Sequence, residues 1–543
     1  MPKRRTKQLY IENLGCAKNQ VDAEVMAKSL ENDGWQLVEE AKDADLIIVN
    51  TCGFIESARE ESINTFLELK AENPKTPVII AGCLAQRYAE ELATSLPEAA
   101  AIFGNRDLSQ INNLVTNLQN PTPNQTPTPT SPQTPASSQN FTSAHETTPS
   151  KITTEHQPPA SKPTAEHQNS TSAHETITSN PTTEHQTTPT PKTTTSQTST
   201  SAPETTSNPT ANHPTSSPPI LTPAYPDPKD DIYDRDRLFS YPGSAYLKIS
   251  EGCNHRCGFC AIPLIRGTLR SRPQETILKE AQQLVARNIK EINLIAQDLA
   301  AYGTDWDGKS HFLELLKNIA AIEGNFKIRL LYIHPDAFPL QLLDIIRDNP
   351  KILPYFDIPI QHASTHLLRP MKRTGTAESY TQLIRTIREK LPTSVIRTTI
   401  MLGFPRESSD DFSQVYEFVK VNRFNWMGSF IYSREEGTYA YDLTDEKTHK
   451  ELTKEAKKRQ KKLQKLQEGI TAEILQGFVG KEYNVLIEEL IEGEDLAIGR
   501  IWAQAPEVDG LTVVMGTGMV PGNIYRCGIT KVNGVDLQAV KID

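Results

Sequence analysis

The chain has 543 residues, 57 of them Lys or Arg and 67 Asp or Glu, for a net charge of −10. That length suits about three or four domains, and the acid excess leaves no overall basic footprint of a nucleic-acid binder. No apolar stretch follows the basic start MPKRRTKQ, runs such as DLIIVN and PVIIAG are too short to span a bilayer, and seven cysteines in such a chain suggest metal binding or catalysis before a disulfide framework, so a cytoplasmic protein with no membrane partner is expected.

Residues 1–118 alternate apolar runs with helical stretches. KQLYIENLG, DADLIIVN and TPVIIAG read as strands, each followed by a helix, which predicts an open parallel α/β domain. From 119 to 222 Thr, Pro, Ser, Asn and Gln dominate, and TSAHET recurs. Such a stretch buries too little apolar surface to offset its chain entropy, so residues 119–230 are assigned to a disordered linker. Six of the twelve histidines lie there (His145, His156, His167, His174, His185 and His213), and degenerate repetition accounts for them without a metal. Strand–helix alternation resumes at 231. The runs AYLKIS, EINLIA, KIRLLYI, YFDIPI, VIRTTIML and NWMGSFIYS suggest a parallel (β/α) barrel or part of one. A charged helix over 446–475 connects this 231–470 unit to residues 471–543, whose short glycine-punctuated strands predict a small β-barrel.

Cys253, Cys257 and Cys260 stand as C-x3-C-x2-C directly after the first barrel strand, at the end where such folds place active sites. A cubane iron–sulfur cluster usually takes four thiolates. Three would leave one iron open to a small molecule, and S-adenosylmethionine (SAM) is a radical-generating cofactor that suits an open iron. The alternative is a zinc site completed by His255, although that residue falls between two of the cysteines, where a tight loop strains the geometry.

Cys16, Cys52 and Cys83 are far apart in sequence but share one local position, after a strand and before a helix: YIENLGC, IIVNTC and VIIAGC. Loops of that kind gather at one edge of an open parallel sheet, so the three thiols can converge as a second three-thiolate set. The competing reading is three ordinary buried cysteines. Cys527 reads as a packing residue.

The C-x3-C-x2-C spacing with Phe259 before the last cysteine resembles the radical SAM signature. The resemblance implies a [4Fe–4S] cluster whose open iron chelates SAM, reductive cleavage of SAM to a 5′-deoxyadenosyl radical, and a Phe259 backbone near the adenine. With the second cysteine set, everything outside the linker resembles the methylthiotransferase family. That implies two [4Fe–4S] clusters, SAM used both as methyl donor and as radical source, a terminal TRAM barrel, and a reductant such as flavodoxin or ferredoxin. NLGCAKNQVDAEVM, NTCGFIESAREESI, GCLAQRY, DIPIQHAS, MKR and EEGTYA resemble the RimO-type branch, which methylthiolates the β-carbon of an aspartate in the twelfth protein of the small ribosomal subunit.

Residues 476–543 agree, with ten acidic and five basic side chains, a balance of 5 − 10 = −5 that favours a basic protein over tRNA. A merely soluble surface is the plainer reading. The alternatives are the same chemistry on tRNA adenosine, to which the Lys-rich stretch KEAKKRQKKLQK points, and a non-catalytic iron–sulfur electron carrier. Gln361, His362 and Arg397, near strand ends, are further barrel candidates, Gln361 and Arg397 for cofactor binding and His362 equally for a core histidine. Two departures from the family stand out. The linker lowers the effective concentration of one cluster domain for the other, and Arg406 and Ser408 stand where the family usually reads Gly and Thr, which puts the turn there in doubt.

Overall fold

The computed structural model describes residues 6–120, 217–226, 233 and 235–542. The N-terminal part runs β1 (Lys7–Asn13), α1 (Ala17–Asn32), β2 (Trp35–Leu37), β3 (Leu46–Thr51), α2 (Glu56–Glu72), β4 (Val78–Gly82), α3 (Cys83–Arg87), α4 (Ala89–Ser95), β5 (Ala101–Phe103), α5 (Ile111–Gln119) and β6 (Ile220–Leu221). Its six strands form one parallel sheet in the order β2-β1-β3-β4-β5-β6. The central strand β3, LIIVNT, is buried along its whole length, as a strand with both faces covered must be. Ile48 joins the core under α1 and α5, while Ile47 and Val49 join the one under α2 and α4.

The expected linker ends early. Residues 217–226 are ordered, and Ile220–Leu221 pairs with Ile102 and Phe103 at the edge of this same sheet. Residues 121–216, with the six histidines, lie outside the described residues. The chain is thus paired on the N-terminal sheet again at β6, before the first strand of the middle part. Ile220–Leu221, at the end of the stretch assigned to the linker, belongs to the sheet of the first domain.

The middle part contains β7 (Ser244–Lys248), β8 (Ser250–Glu251), α6 (Ile262–Arg266), β9 (Arg270–Ser271), α7 (Gln274–Ala286), β10 (Glu291–Ile295), α8 (Thr304–Asp307), α9 (Phe312–Ala320), β11 (Lys327–Leu330), α10 (Gln341–Asp348), β12 (Ile352–Asp357), α11 (Thr365–Leu368), α12 (Ala377–Lys390), β13 (Val395–Leu402), α13 (Ser409–Asn422) and β14 (Trp426–Ile431). The parallel sheet β14-β13-β12-β11-β10-β7 is an open, partial barrel. Helix α14 (Glu446–Gln476) packs Leu463 and Ile470 on this core. It leads to a closed five-stranded barrel of β15 (Glu482–Leu490), β16 (Leu496–Arg500), β17 (Thr512–Met515), β18 (Ile524–Asn533) and β19 (Asp536–Lys541).

Buried charge joins the parts. Helix α1 buries a polar face as well as an apolar one: Asp22 pairs with Lys248 and with Arg266 (2.9 Å), and Glu24 pairs with Arg235, which also reaches Glu280 at 2.7 Å. On the other flank Arg59 and Arg87 both donate to the buried Glu435. The terminal barrel docks at the N-terminal ends of the parallel strands. Arg500 pairs at 2.9 Å with Glu291, the first residue of β10, and the Trp426 indole, at the start of β14, donates to the Ala503 carbonyl at 2.7 Å. Two acids counted toward its surface charge are internal: Glu488 pairs with Arg500, and Asp509 accepts from Tyr355.

Candidate active site

The first triplet lies on the loop between β8 and α6. Gly252 (φ +74°) leaves the strand where a Cβ would stand 2.0 Å from the Thr268 carbonyl oxygen, so only glycine fits that turn. The Cys253 amide donates to the Gly267 carbonyl (3.1 Å) and the Gly258 amide to that of Met371 (3.0 Å). The Cys253, Cys257 and Cys260 thiols are free. Burial pushes Cys253 up to about 11, Cys260 up to about 12 and Cys257 upward, with the Arg373 guanidinium opposing the rise at each. Arg373 is itself buried, and its Nε and Nη1 have no hydrogen-bond partner. A buried cation with unspent donors beside three thiols suits an anionic group held by those thiols.

Among the described residues no three His, Cys, Asp or Glu side chains stand close enough to hold a single metal ion. His255 lies 2.7 Å from Asp298 and stacks on His334 at 4.2 Å. His255 is thus engaged by Asp298 and His334, which leaves the three cysteines without it as a fourth ligand.

The second triplet is assembled by the sheet. Cys16 caps α1 after β1, Cys52 follows β3, and Cys83 opens α3 after β4. The loops lie side by side: a Cβ on Gly15 would meet the Cys52 Cβ at 3.2 Å, and one on Gly53 would meet the Leu84 amide nitrogen at 2.7 Å and the Cys83 carbonyl carbon at 2.8 Å. Asparagines brace them. Asn19 donates to the Leu14 and Thr51 carbonyls, and Asn50 to Asn13 and to the Asn19 carbonyl. Cys83 Sγ accepts from Asn105 Nδ2 and Arg266 Nη2, each at 3.3 Å. Burial pushes Cys83 up to about 12, against the pull of Arg266.

The two triplets meet through α6. This short helix begins two residues after Cys260; its Ile265, with Ala261, packs on Cys83, and its last residue is Arg266. Arg266 also donates to Asn19 (2.7 Å), Asp22 (2.9 Å) and Glu251 (2.8 Å), so one guanidinium joins both cysteine regions. Lys18, the second residue of α1, is buried, with its ammonium 4.3 Å from the centre of the Tyr332 ring. Burial lowers the pKa of this ammonium, and Cys16 and Glu251 oppose the fall.

The other candidates separate. Gln361 adopts φ +76°, its backbone exchanges hydrogen bonds with Thr399 and Met401 on β13, and its buried Oε1 has no partner. Phe259 packs on Met371, Met401 and Phe404 beside the cysteine loop. His362 is fully buried, accepts from the Ser364 amide at 3.0 Å and is pushed down to about 3 by burial, which makes it a neutral core residue. Arg397 pairs with two carboxylates, Asp357 (3.1 Å) and Asp509 (3.4 Å). Arg406 takes a left-handed conformation (φ +73°), and Ser408 caps α13 in a reciprocal box with Asp411. Arg266, Arg373 and Lys18 were not singled out from sequence. Their only signal was proximity to cysteine motifs, in IPLIRG, MKR and GCAKN.

Three family matches cover this architecture: Uncharacterized protein family UPF0004 over residues 8–104, the Radical SAM superfamily over 247–419 and the TRAM domain over 479–542. Among solved structures, the radical S-adenosylmethionine methyltransferase TsrM from Kitasatospora setae is similar over 79% of this chain and 75% of its own, with 14% identity and a TM-score of 0.46. The class is that of a radical SAM enzyme, whose cofactors are SAM and [4Fe–4S] iron–sulfur clusters. The ribosomal protein uS12 methylthiotransferase RimO of Treponema denticola is 38% identical over 97% of this chain and 99% of its own length, and that of Myxococcus xanthus is 34% identical over 98% and 91%. The chain belongs to the RimO family of methylthiotransferases. Among the described residues no helix is long and apolar enough to cross a membrane.

Proposed function

We propose that this enzyme places a methylthio group on the β-carbon of an aspartate in ribosomal protein uS12. The observation that carries the reading is the meeting of two three-cysteine sites at one junction, with Arg266 bonded to Cys83 of one from the helix that follows the other. The names of its relatives supply the substrate. Cys253, Cys257 and Cys260 would hold the cluster that binds SAM, and Cys16, Cys52 and Cys83 the auxiliary cluster. Together the bound groups supply an electron, hydrogen abstraction from an unactivated C–H bond, and sulfur with its methyl group.

The chain's own residues prepare that chemistry. Cys83 is buried and Cys52, Cys253, Cys257 and Cys260 are half-buried, so the thiols are partly shielded from water, which limits side reactions at a reactive centre. Arg373 offers unspent N–H donors to an anion beside the first triplet, and the orphaned Gln361 Oε1 offers an acceptor to a cationic amine. Phe259 fixes the loop through its packing. Arg266 lends positive charge to the Cys83 sulfur, and Asp22 and Glu251 hold it there. The working location is the cytoplasm, and the electron source is a flavodoxin or ferredoxin. For the rival tRNA substrate, α14 offers an exposed basic face that includes Lys457, Lys458, Lys461 and Lys465.

The test is anaerobic. Reconstituted enzyme receives reductant and SAM, with small-subunit proteins or bulk tRNA in separate tubes, and each is scored by mass spectrometry. One added methylthio group on uS12 is expected. Gain on tRNA alone overturns the substrate, and absence of SAM cleavage overturns the enzyme in favour of an electron carrier.

A further inference from the structure

Buried cations in this protein are almost all paired. Among the described residues, every buried Lys or Arg except two has a carboxylate partner, as in the pairs of Arg235, Lys248, Arg266 and Arg329. Arg272 and Arg500 are paired as well. The exceptions are Lys18 and Arg373, both more than nine-tenths buried. Taking a charge out of water without an anion is costly, so a folded chain keeps such a group where a ligand completes it.

The two lie on different sides of the junction. Arg373 acts electrostatically on Cys253, Cys257 and Cys260. Lys18 stands two residues beyond Cys16, the exposed member of the other triplet. Its ammonium meets the face of Tyr332, which follows β11 at the C-terminal end of the barrel strands. A ring face balances part of the charge but gives the three N–H donors no proper acceptors.

We infer that Lys18 is the counter-ion for the carboxylate of the target aspartate, an inference that rests on the function proposed above. That reaction brings two carboxylates to the junction, one on SAM and one on the substrate. Arg373 is on the side of the first triplet, where SAM binds. Lys18 is on the side where the sulfur is delivered, and therefore where the β-carbon next to the substrate carboxylate must lie. A site that balances a full charge rejects a neutral isostere, because the buried cation is then left unpaired.

The experiment uses the reconstituted holoenzyme and two uS12 peptides that differ only in Asp or Asn at the target position. Affinities are read anaerobically by fluorescence anisotropy for wild type, Lys18→Met, Lys18→Gln and Lys18→Arg. Wild type is expected to prefer the Asp peptide by about tenfold or more, which corresponds to a differential of about 1.4 kcal/mol. Lys18→Met and Lys18→Gln should bind both peptides alike, and Lys18→Arg should retain the preference. An unchanged Asp-to-Asn ratio in the two neutral variants overturns the inference, even if those variants lose iron; Lys18 would then only balance the Cys16 region. Binding of neither peptide by a wild type that still cleaves SAM would remove the proposed substrate, and Lys18's role with it.

Discussion

The two cysteine sites are built in opposite ways. Cys253, Cys257 and Cys260 lie within one loop whose shape depends on local turns and on the 370–373 segment beneath it. Cys16, Cys52 and Cys83 are brought together by three parallel strands and exist as a site only once the sheet has formed. A local site can tolerate much in the rest of the chain, whereas an assembled one inherits every weakness of its sheet. Yet the two are coupled, because the helix after the local loop donates to a sulfur of the assembled one.

The strongest way to break the comparison is to remove one thiol from each. Cys257→Ala and Cys83→Ala should each retain one cluster's worth of iron where wild type holds two, by iron quantitation after anaerobic reconstitution. Cys257→Ala should also lose SAM cleavage to below detection. If both variants keep wild-type iron, the two-site reading fails.

Coupling is tested next by Asp22→Ala. Asp22 sits on α1 of the assembled site and pairs with Lys248 and Arg266 of the barrel. Removing one partner from a buried ion pair leaves uncompensated charge and typically costs about 3–5 kcal/mol. Anaerobic denaturant titration should show a loss of that order. A change under 1 kcal/mol would mean that the junction is hydrated and that Arg266 couples nothing.

These contrasts explain what was legible in sequence. The contiguous triplet could be read from spacing alone, and the dispersed one from its recurring strand–cysteine–helix position. All six barrel strands were visible because runs such as VIRTTIML have the composition of buried parallel strands. The short strands β2, β5 and β6 were missed because two or three residues carry no period, and β6 hid at the end of a Pro-rich stretch. The pairing of Arg397 with Asp509 was not legible because the two are over a hundred residues apart in sequence, and no local pattern reveals which interior carboxylate a strand arginine will meet. The buried polar face of α1 was opaque for the same reason: its partners belong to another domain.

Support for the local site from the far end of the barrel gives a smaller effect. Asp509 lies among Tyr355, Arg397 and the Ala505 amide, and burial raises its carboxyl to about 6, against about 3.9 in an unfolded chain. The folded protein therefore binds more protons between these values, so the stabilisation is complete below the lower one and is lost as pH rises through the higher one. The stability difference between wild type and Asp509→Asn should shrink by about 1–2 kcal/mol from pH 5 to pH 7.5. Denaturant titrations across that range measure it, and a flat difference would place the Asp509 carboxyl near its ordinary value.

The smallest expected effect is at the turn after β13. Arg406 takes φ +73° with an exposed side chain, a conformation that costs a residue with a Cβ about 1 kcal/mol and glycine almost nothing. The turn keeps its shape because its neighbours impose it: the Gly403 amide donates to Glu407, and Arg459 on α14 pairs with Glu407 at 2.6 Å. Arg406→Gly relieves the strain but also frees the unfolded chain, so the net gain should be at most about 0.6 kcal/mol. Denaturant titration would read it. Because the Arg406 side chain is exposed and bonds to neither triplet, iron content should not change. A gain in stability with unchanged iron would mean that the strain is carried by the scaffold alone, whereas a change in iron at the first triplet would show that even the contiguous site draws its geometry from strands well beyond its own loop.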